Sequence, residues 1–130
     1  MIAQPVTLTG DLVTLEPLTL THHDELVAAA SDGNLWTKWS TSVPTPEGMA
    51  SDIASKLTKQ DAGSMIPLVT RRNSDGVVVG LTTFCNIEPA QPATEIGWTW
   101  TSRSAQRTGV NTEAKLLMLT HAFEVWECTR

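Results

Sequence analysis

The chain has 130 residues, 41% of them hydrophobic and 18% charged, with a formal net charge of −5 at pH 7. A domain of this size buries roughly two thirds of its unfolded surface, so residues 1–130 read as one domain with a single core. No apolar run approaches the ~20 residues of a bilayer helix, and the acidic balance argues against nucleic acid as the main partner. The two cysteines, Cys85 and Cys128, are too few for a disulfide scaffold or a zinc cluster.

The start, Met1-Ile2-Ala3-Gln4-Pro5, carries neither a basic region nor an apolar stretch with a cleavage site, so a cytoplasmic location is the default expectation. Thr7 to Leu15 alternate around Gly10-Asp11, which predicts a small hairpin, or a strand with a short lead-in, ending near Pro17. Thr21 then caps a short helix with Asp24 and Glu25 in its first turn. Leu26, Val27, Ala29 and Ala30 form its apolar side, and Asp32-Gly33-Asn34 stops it. A second helix is predicted from Thr45 as cap and Pro46 at the first position. Its apolar residues Met49, Ile53 and Leu57 recur every fourth position until Ala62-Gly63. Trp36 and Trp39, between the helices, either line a substrate mouth or pack as ordinary half-buried tryptophans.

Met65 to Arg71 and Val77 to Cys85 are β-rich, and Asp75-Gly76 between them signals an antiparallel pair. Pro67 has no N–H for the ladder, which suits an edge, a bulge or a strand start rather than a central position. Ala93 to Thr101 alternates, predicting Thr94, Ile96, Trp98 and Trp100 on one face against Glu95, Gly97 and Thr99 on the other. From Gly109 onward Leu116, Leu119, Ala122, Phe123 and Trp126 recur at three- and four-residue steps. They predict a long helix with that stripe inward and Glu113, Lys115 and Glu124 outward. His22, His23 and His121 sit on helices with nothing to link them to a shared site, and read as structural or solvated.

Between that last strand and helix lies Gln106-Arg107-Thr108-Gly109-Val110-Asn111. The free N–H groups of a helix's first turn, with the positive end of its dipole, attract a phosphate without a dedicated lysine. Lys115 is not a P-loop lysine, because Gly-Lys-Ser/Thr is absent from the turn. Arg103 and Arg107 make the local basic cluster, either steering an acidic cofactor or forming a solvated loop.

The order strand, two helices, three-strand meander, Q-x-x-G-x-N turn and long helix resembles the Gcn5-related N-acetyltransferase (GNAT) family. Glu95-Ile96-Gly97-Trp98 is similar to the family's fourth strand. Gln106 and Gly109 fit the first two fixed positions of its Q/R-x-x-G-x-G/A pyrophosphate signature, while Asn111 stands at the last small position. Leu15-Glu16-Pro17-Leu18 and Val78-Val79-Gly80 are similar to the subgroup containing the ribosomal-protein N-terminal acetyltransferases (RimJ/RimL-like). The resemblance covers nearly the whole chain. It implies an α+β fold, a mostly antiparallel sheet flanked by helices, without the family's C-terminal strands. The domain is then incomplete at its C-terminus, and its unpaired edge strand invites association, for example as a homodimer.

The resemblance further implies acetyl-CoA as acetyl donor. Backbone N–H groups around Trp98, Trp100 and Thr101 would orient its pantetheine arm and thioester, and Gln106, Arg107, Thr108, Gly109, Val110, Asn111 and Thr112 would hold its pyrophosphate. The acceptor is an amine, either a protein or peptide N-terminal α-amine or a small amine, with Trp36 and Trp39 as substrate candidates. Glu95 is the candidate general base and Glu88 a poorer one. A tyrosine often protonates the leaving thiolate in this family, yet the chain contains none, so that role is unfilled or lies beyond Arg130. A non-catalytic acyl-CoA-binding module, or a structural fragment of such a domain, is the alternative. No metal and no membrane partner is implied.

Overall fold

A computed structural model describes residues 3–37 and 43–130. Five strands, β1 (Leu8–Thr9), β2 (Val13–Pro17), β3 (Ile66–Arg72), β4 (Val78–Glu88) and β5 (Ala93–Thr101), form one sheet in chain order, every neighbouring pair antiparallel. Three α-helices cover it: α1 (His23–Ser31), α2 (Met49–Asp61) and α3 (Val110–Glu124). The architecture is the expected α+β one. Its two faces bury separate cores. Val13, Leu15, Leu68, Phe84 and Ile96 pack with Val110, Ala114, Met118 and Ala122 of α3, while Val69, Val78, Leu81 and Trp100 pack with Leu26, Ala29, Met49 and Ile53 of α1 and α2.

Local signals place most ends correctly, with informative shifts. The first helix is entered through a short 3-10 turn, Leu20–His22, capped by Thr19 rather than Thr21, and the Thr19 N–H donates to His22 Nδ1 at 3.0 Å. Thr45 caps a turn ahead of α2, its Oγ1 accepting from the Gly48 N–H at 3.1 Å, and the helix itself begins at Met49. Pro67 is the second residue of β3. Its carbonyl accepts from the Leu18 N–H just past the end of β2, so the missing donor falls where the neighbouring ladder has stopped.

Two expectations about faces fail, each for a physical reason. On β5, Trp100 pairs with Leu81 but Gly97 with Thr83, so Trp98 and Thr99 together oppose Thr82. Trp98 takes φ 50°, and this β-bulge reverses the alternation. Ile96 and Trp100 therefore join opposite cores, and Thr99 Oγ1 lies 2.9 Å from Thr82 Oγ1. On α3 the buried line is Val110, Ala114, Met118 and Ala122, whereas Leu116, Leu119 and Phe123 are exposed. The small alanines let the helix lie close on the sheet. The larger residues stand beside it, where Leu119 and Phe123 with Thr94 and Ile96 border a groove of about 170 Å³ along β5.

Arg71 ties three segments together, bonding Glu16 on β2, Glu25 on α1 and the Gly76 carbonyl. That bond from Arg71 holds the Glu16 carboxyl below its ordinary 4.5, against the opposing effect of burial. A carboxylate with a lowered pKa stabilises the fold above its unfolded value and loses that contribution as pH falls through the folded one. Glu16→Gln is accordingly expected to cost about 1 kcal/mol at pH 7, with the gap to the parent protein closing by pH 3 in urea titrations. A gap that is equal at both pH values would exclude this linkage.

Candidate functional site

The strand β5 ends where Ser102 donates its N–H to the Val79 carbonyl (2.7 Å) and its hydroxyl to the Ala29 carbonyl (2.7 Å). A 3-10 turn, Arg103–Ala105, follows, and then the chain takes left-handed conformations at Arg107 (φ 63°) and Gly109 (φ 87°). Gly109 is needed there: its φ disfavours any side chain, and a Cβ would meet Leu12 Cδ1 at 3.4 Å. The first backbone bond of α3 runs from the Glu113 N–H to the Gly109 carbonyl, 3.0 Å, and no side chain caps the helix. The amides of Val110, Asn111 and Thr112 thus open the helix at the positive end of its dipole. Glu113, the one acid in that turn, is engaged elsewhere, accepting from the Leu12 (2.7 Å) and Val13 (2.9 Å) N–H groups.

A cleft of about 300 Å³ joins this turn to the end of β5. Thr99, Trp100 and Thr101 form one wall, and Gln106, Asn111 and Lys115 another. Leu35 and Val43, from the connection between α1 and α2, supply an apolar side. Because the Ser102 N–H points inward to Val79, strand alternation sends the Thr101 N–H and carbonyl to the free edge of the sheet. The Gln106 side chain agrees, donating to that carbonyl at 3.0 Å and fixing the turn against the strand. Trp100 is only 6% exposed, and its indole N–H has no partner among the described residues. Among the described residues no acid lines the cleft.

A second cleft, about 380 Å³, lies on the other side of the turn, where Thr108 and Val110 meet Asp11, Leu12, Arg72, Asn73 and Ser74. It suits an anion less well, since Arg72 is already paired with Asp75 at 2.6 Å and Asp11 shares the space. Of the sequence candidates, the first cleft gathers Trp100, Thr101, Gln106 and Asn111. Arg107 and Gly109 shape the turn, Thr108 and Val110 border the second cleft, and Thr112 is exposed in the helix's first turn.

Glu95 and Trp98 do not line the cleft. Glu95 is exposed and its Oε2 accepts from Asn86 Nδ2 at 3.1 Å. At about 3.3 Å per strand residue it stands roughly 13 Å from Thr99. Trp98, half exposed, faces α2, where the Lys56 ammonium lies 5.9 Å from its ring centroid and is held by Asp52 at 2.5 Å. Trp36 is partly buried against the core of α1 and α2, next to Leu35 of the cleft. Trp39 lies outside the described residues. The candidates overlooked in the sequence are Thr99 and Lys115. The spacing of four between Asn111 and Lys115, which puts both on one helix face, was the available signal for Lys115. Among the described residues no cluster of metal-ligating side chains occurs, and no helix is long and apolar enough to cross a membrane.

An open helix start and a bulged edge strand thus meet at one cleft of an α+β domain. Residues 13–130 match the family model of the acetyltransferase (GNAT) domain, and the chain belongs to that family. Comparison with curated proteins gave no match. Among solved structures the chain is similar to a GCN5-related N-acetyltransferase from Brucella melitensis, with 26% identity and a TM-score of 0.80, covering 95% of this chain and 57% of that one. It shares its fold with RimL, a ribosomal L7/L12 alpha-N-protein acetyltransferase in complex with coenzyme A (18% identity, TM-score 0.73, 89% and 67% covered). It also shares it with the Salmonella typhimurium acetyl transferase that modifies the N-terminal serine of ribosomal protein L7/L12 (17% identity, TM-score 0.70, 86% and 64% covered). The chain thus spans well under two thirds of the Brucella protein's length.

Proposed function

We propose that this chain transfers the acetyl group of acetyl-CoA to a primary amine. The observation that carries the reading is the uncapped start of α3, opened by left-handed Gly109 beside the free edge of β5. Amides of Arg107 to Thr112 hold the pyrophosphate, and outward groups of β5 around Thr101 orient the pantetheine arm and polarise the thioester carbonyl. The amine nitrogen attacks that carbonyl, the C–N bond forms as the C–S bond breaks, and the thiolate takes a proton from water. Glu95 accepts the amine's proton through intervening water, given its distance along the strand.

The acceptor is a protein or peptide N-terminal α-amine. Support comes from the two L7/L12 acetyltransferases that share the fold. Small amines are the competing class. Calorimetric titration with CoA and acetyl-CoA tests the donor site, a Kd on the order of micromolar being expected; no heat at millimolar ligand would refute the reading. Thiol release with N-terminal serine peptides and with polyamines then separates the acceptors. Binding without thiol release from any amine would identify an acyl-CoA-binding module instead, the reading that Asn111 and the missing tyrosine favour.

A further inference from the structure

We infer that the half-exposed ring of Trp98 selects the acceptor: it takes an ammonium group on its indole face and so favours aliphatic amines, cations at neutral pH, over neutral aromatic amines. The inference rests on the acetyl-transfer reading above and gives a role to a side chain that stands outside the donor cleft. Trp98 is 51% exposed and takes φ 50° at the bulge of β5. A bulky residue in that region of backbone space is costly, and such strain persists only where the surroundings hold it. The holder is α2. The Lys56 ammonium, 6% exposed and bonded to Asp52 at 2.5 Å, lies 5.9 Å from the Trp98 ring centroid. The protein thus already seats one primary ammonium on this ring, within the range at which the ring quadrupole attracts a cation.

The strand register puts negative charge on the same side. Ile96 packs in the α3 core with its partner Phe84, so Glu95, paired with Cys85, points to the side of α2, where Trp98 meets Lys56. Gly97, between Glu95 and Trp98, carries no side chain to obstruct that face. Two carboxylates, Asp52 and Glu95, stand there against the one ammonium of Lys56, within a chain of net charge −5. An aromatic face beside excess negative charge attracts an ammonium ion and offers a neutral arylamine only apolar contact. The bound ammonium gives its proton to Glu95 through water, and the free amine then attacks the thioester as above. Trp98 is thus a specificity residue for the acceptor, and Lys56 a positioning residue for its ring.

The test follows the indole N–H resonance of Trp98 by NMR, assigned by its absence from Trp98→Phe, as tetramethylammonium is added, with tert-butanol as the neutral probe of the same shape. A saturating shift with tetramethylammonium and none with tert-butanol is expected. No shift, or equal shifts with both, overturns the inference. In acetyl-transfer assays Trp98→Leu should raise KM for an aliphatic amine about fivefold, with kcat and the Kd of CoA unchanged. Trp98→Phe should fall between, and tetramethylammonium should compete with the amine but not with acetyl-CoA. The Tm of both variants separates a lost ring from a damaged fold. An amine KM unchanged in Trp98→Leu overturns the inference and leaves the acetyl-transfer reading intact. Tetramethylammonium binding at Trp98, with no acetyl transfer to any amine, keeps the cation site and removes the transfer reading.

Discussion

Replacing Gly80 with alanine is expected to lower Tm by about 10 °C and to abolish CoA binding. Gly80 pairs with Thr101 across β4 and β5, and a Cβ there would stand 2.3 Å from the Trp100 carbonyl oxygen and 3.3 Å from the Thr101 Cα. Both are backbone contacts, so no rotamer change relieves them, and β5 itself has to move away. Overpacking of this kind costs about 3 kcal/mol, or roughly 10 °C for a domain of this size. The displaced residues are those that form the wall of the cleft. Thermal unfolding and CoA titration of Gly80→Ala decide the matter; a Tm within about 2 °C of the parent would show that the strand yields cheaply.

Glu95→Gln has the other large expected effect, a fall in kcat of about 100-fold with the affinity for CoA unchanged. The substitution keeps the side chain's shape and its contact with Asn86, yet removes the basic oxygen. Because Glu95 stands away from the cleft, donor binding has no reason to change. An undiminished rate across the pH range would take Glu95 out of the base role. A parallel loss of CoA affinity would instead make it a support for β5.

Much of the framework was legible because it is written in local chemistry. The Asp75-Gly76 turn, the short-range apolar pattern of α2 and the Gln106 to Asn111 junction each act within a few residues, and each yields the element the sequence predicts, with α2 starting three residues later than expected. The site was half legible. Trp100, Thr101, Gln106 and Asn111 line one cleft, but Lys115 looked like part of a solvated helix face. Only the fold of β5 against α3 brings it to the cleft.

The remaining differences come from packing. Period-two alternation assumes an uninterrupted ladder, so no reading of Ala93 to Thr101 could anticipate that Trp98 and Thr99 would share one partner and send Ile96 and Trp100 to opposite cores. A stripe of large apolar residues likewise says where hydrophobicity lies along α3, not which side meets the sheet. Ala114 and Ala122 won that side from Leu116, Leu119 and Phe123 because close approach requires small residues. The sequence by itself therefore determined the family, the order of elements and the turn that opens α3, all set by backbone preferences of neighbouring residues. Tertiary structure alone decided which faces are buried, where β5 bulges and which cation reaches the cleft, since these depend on contacts between segments far apart in the chain.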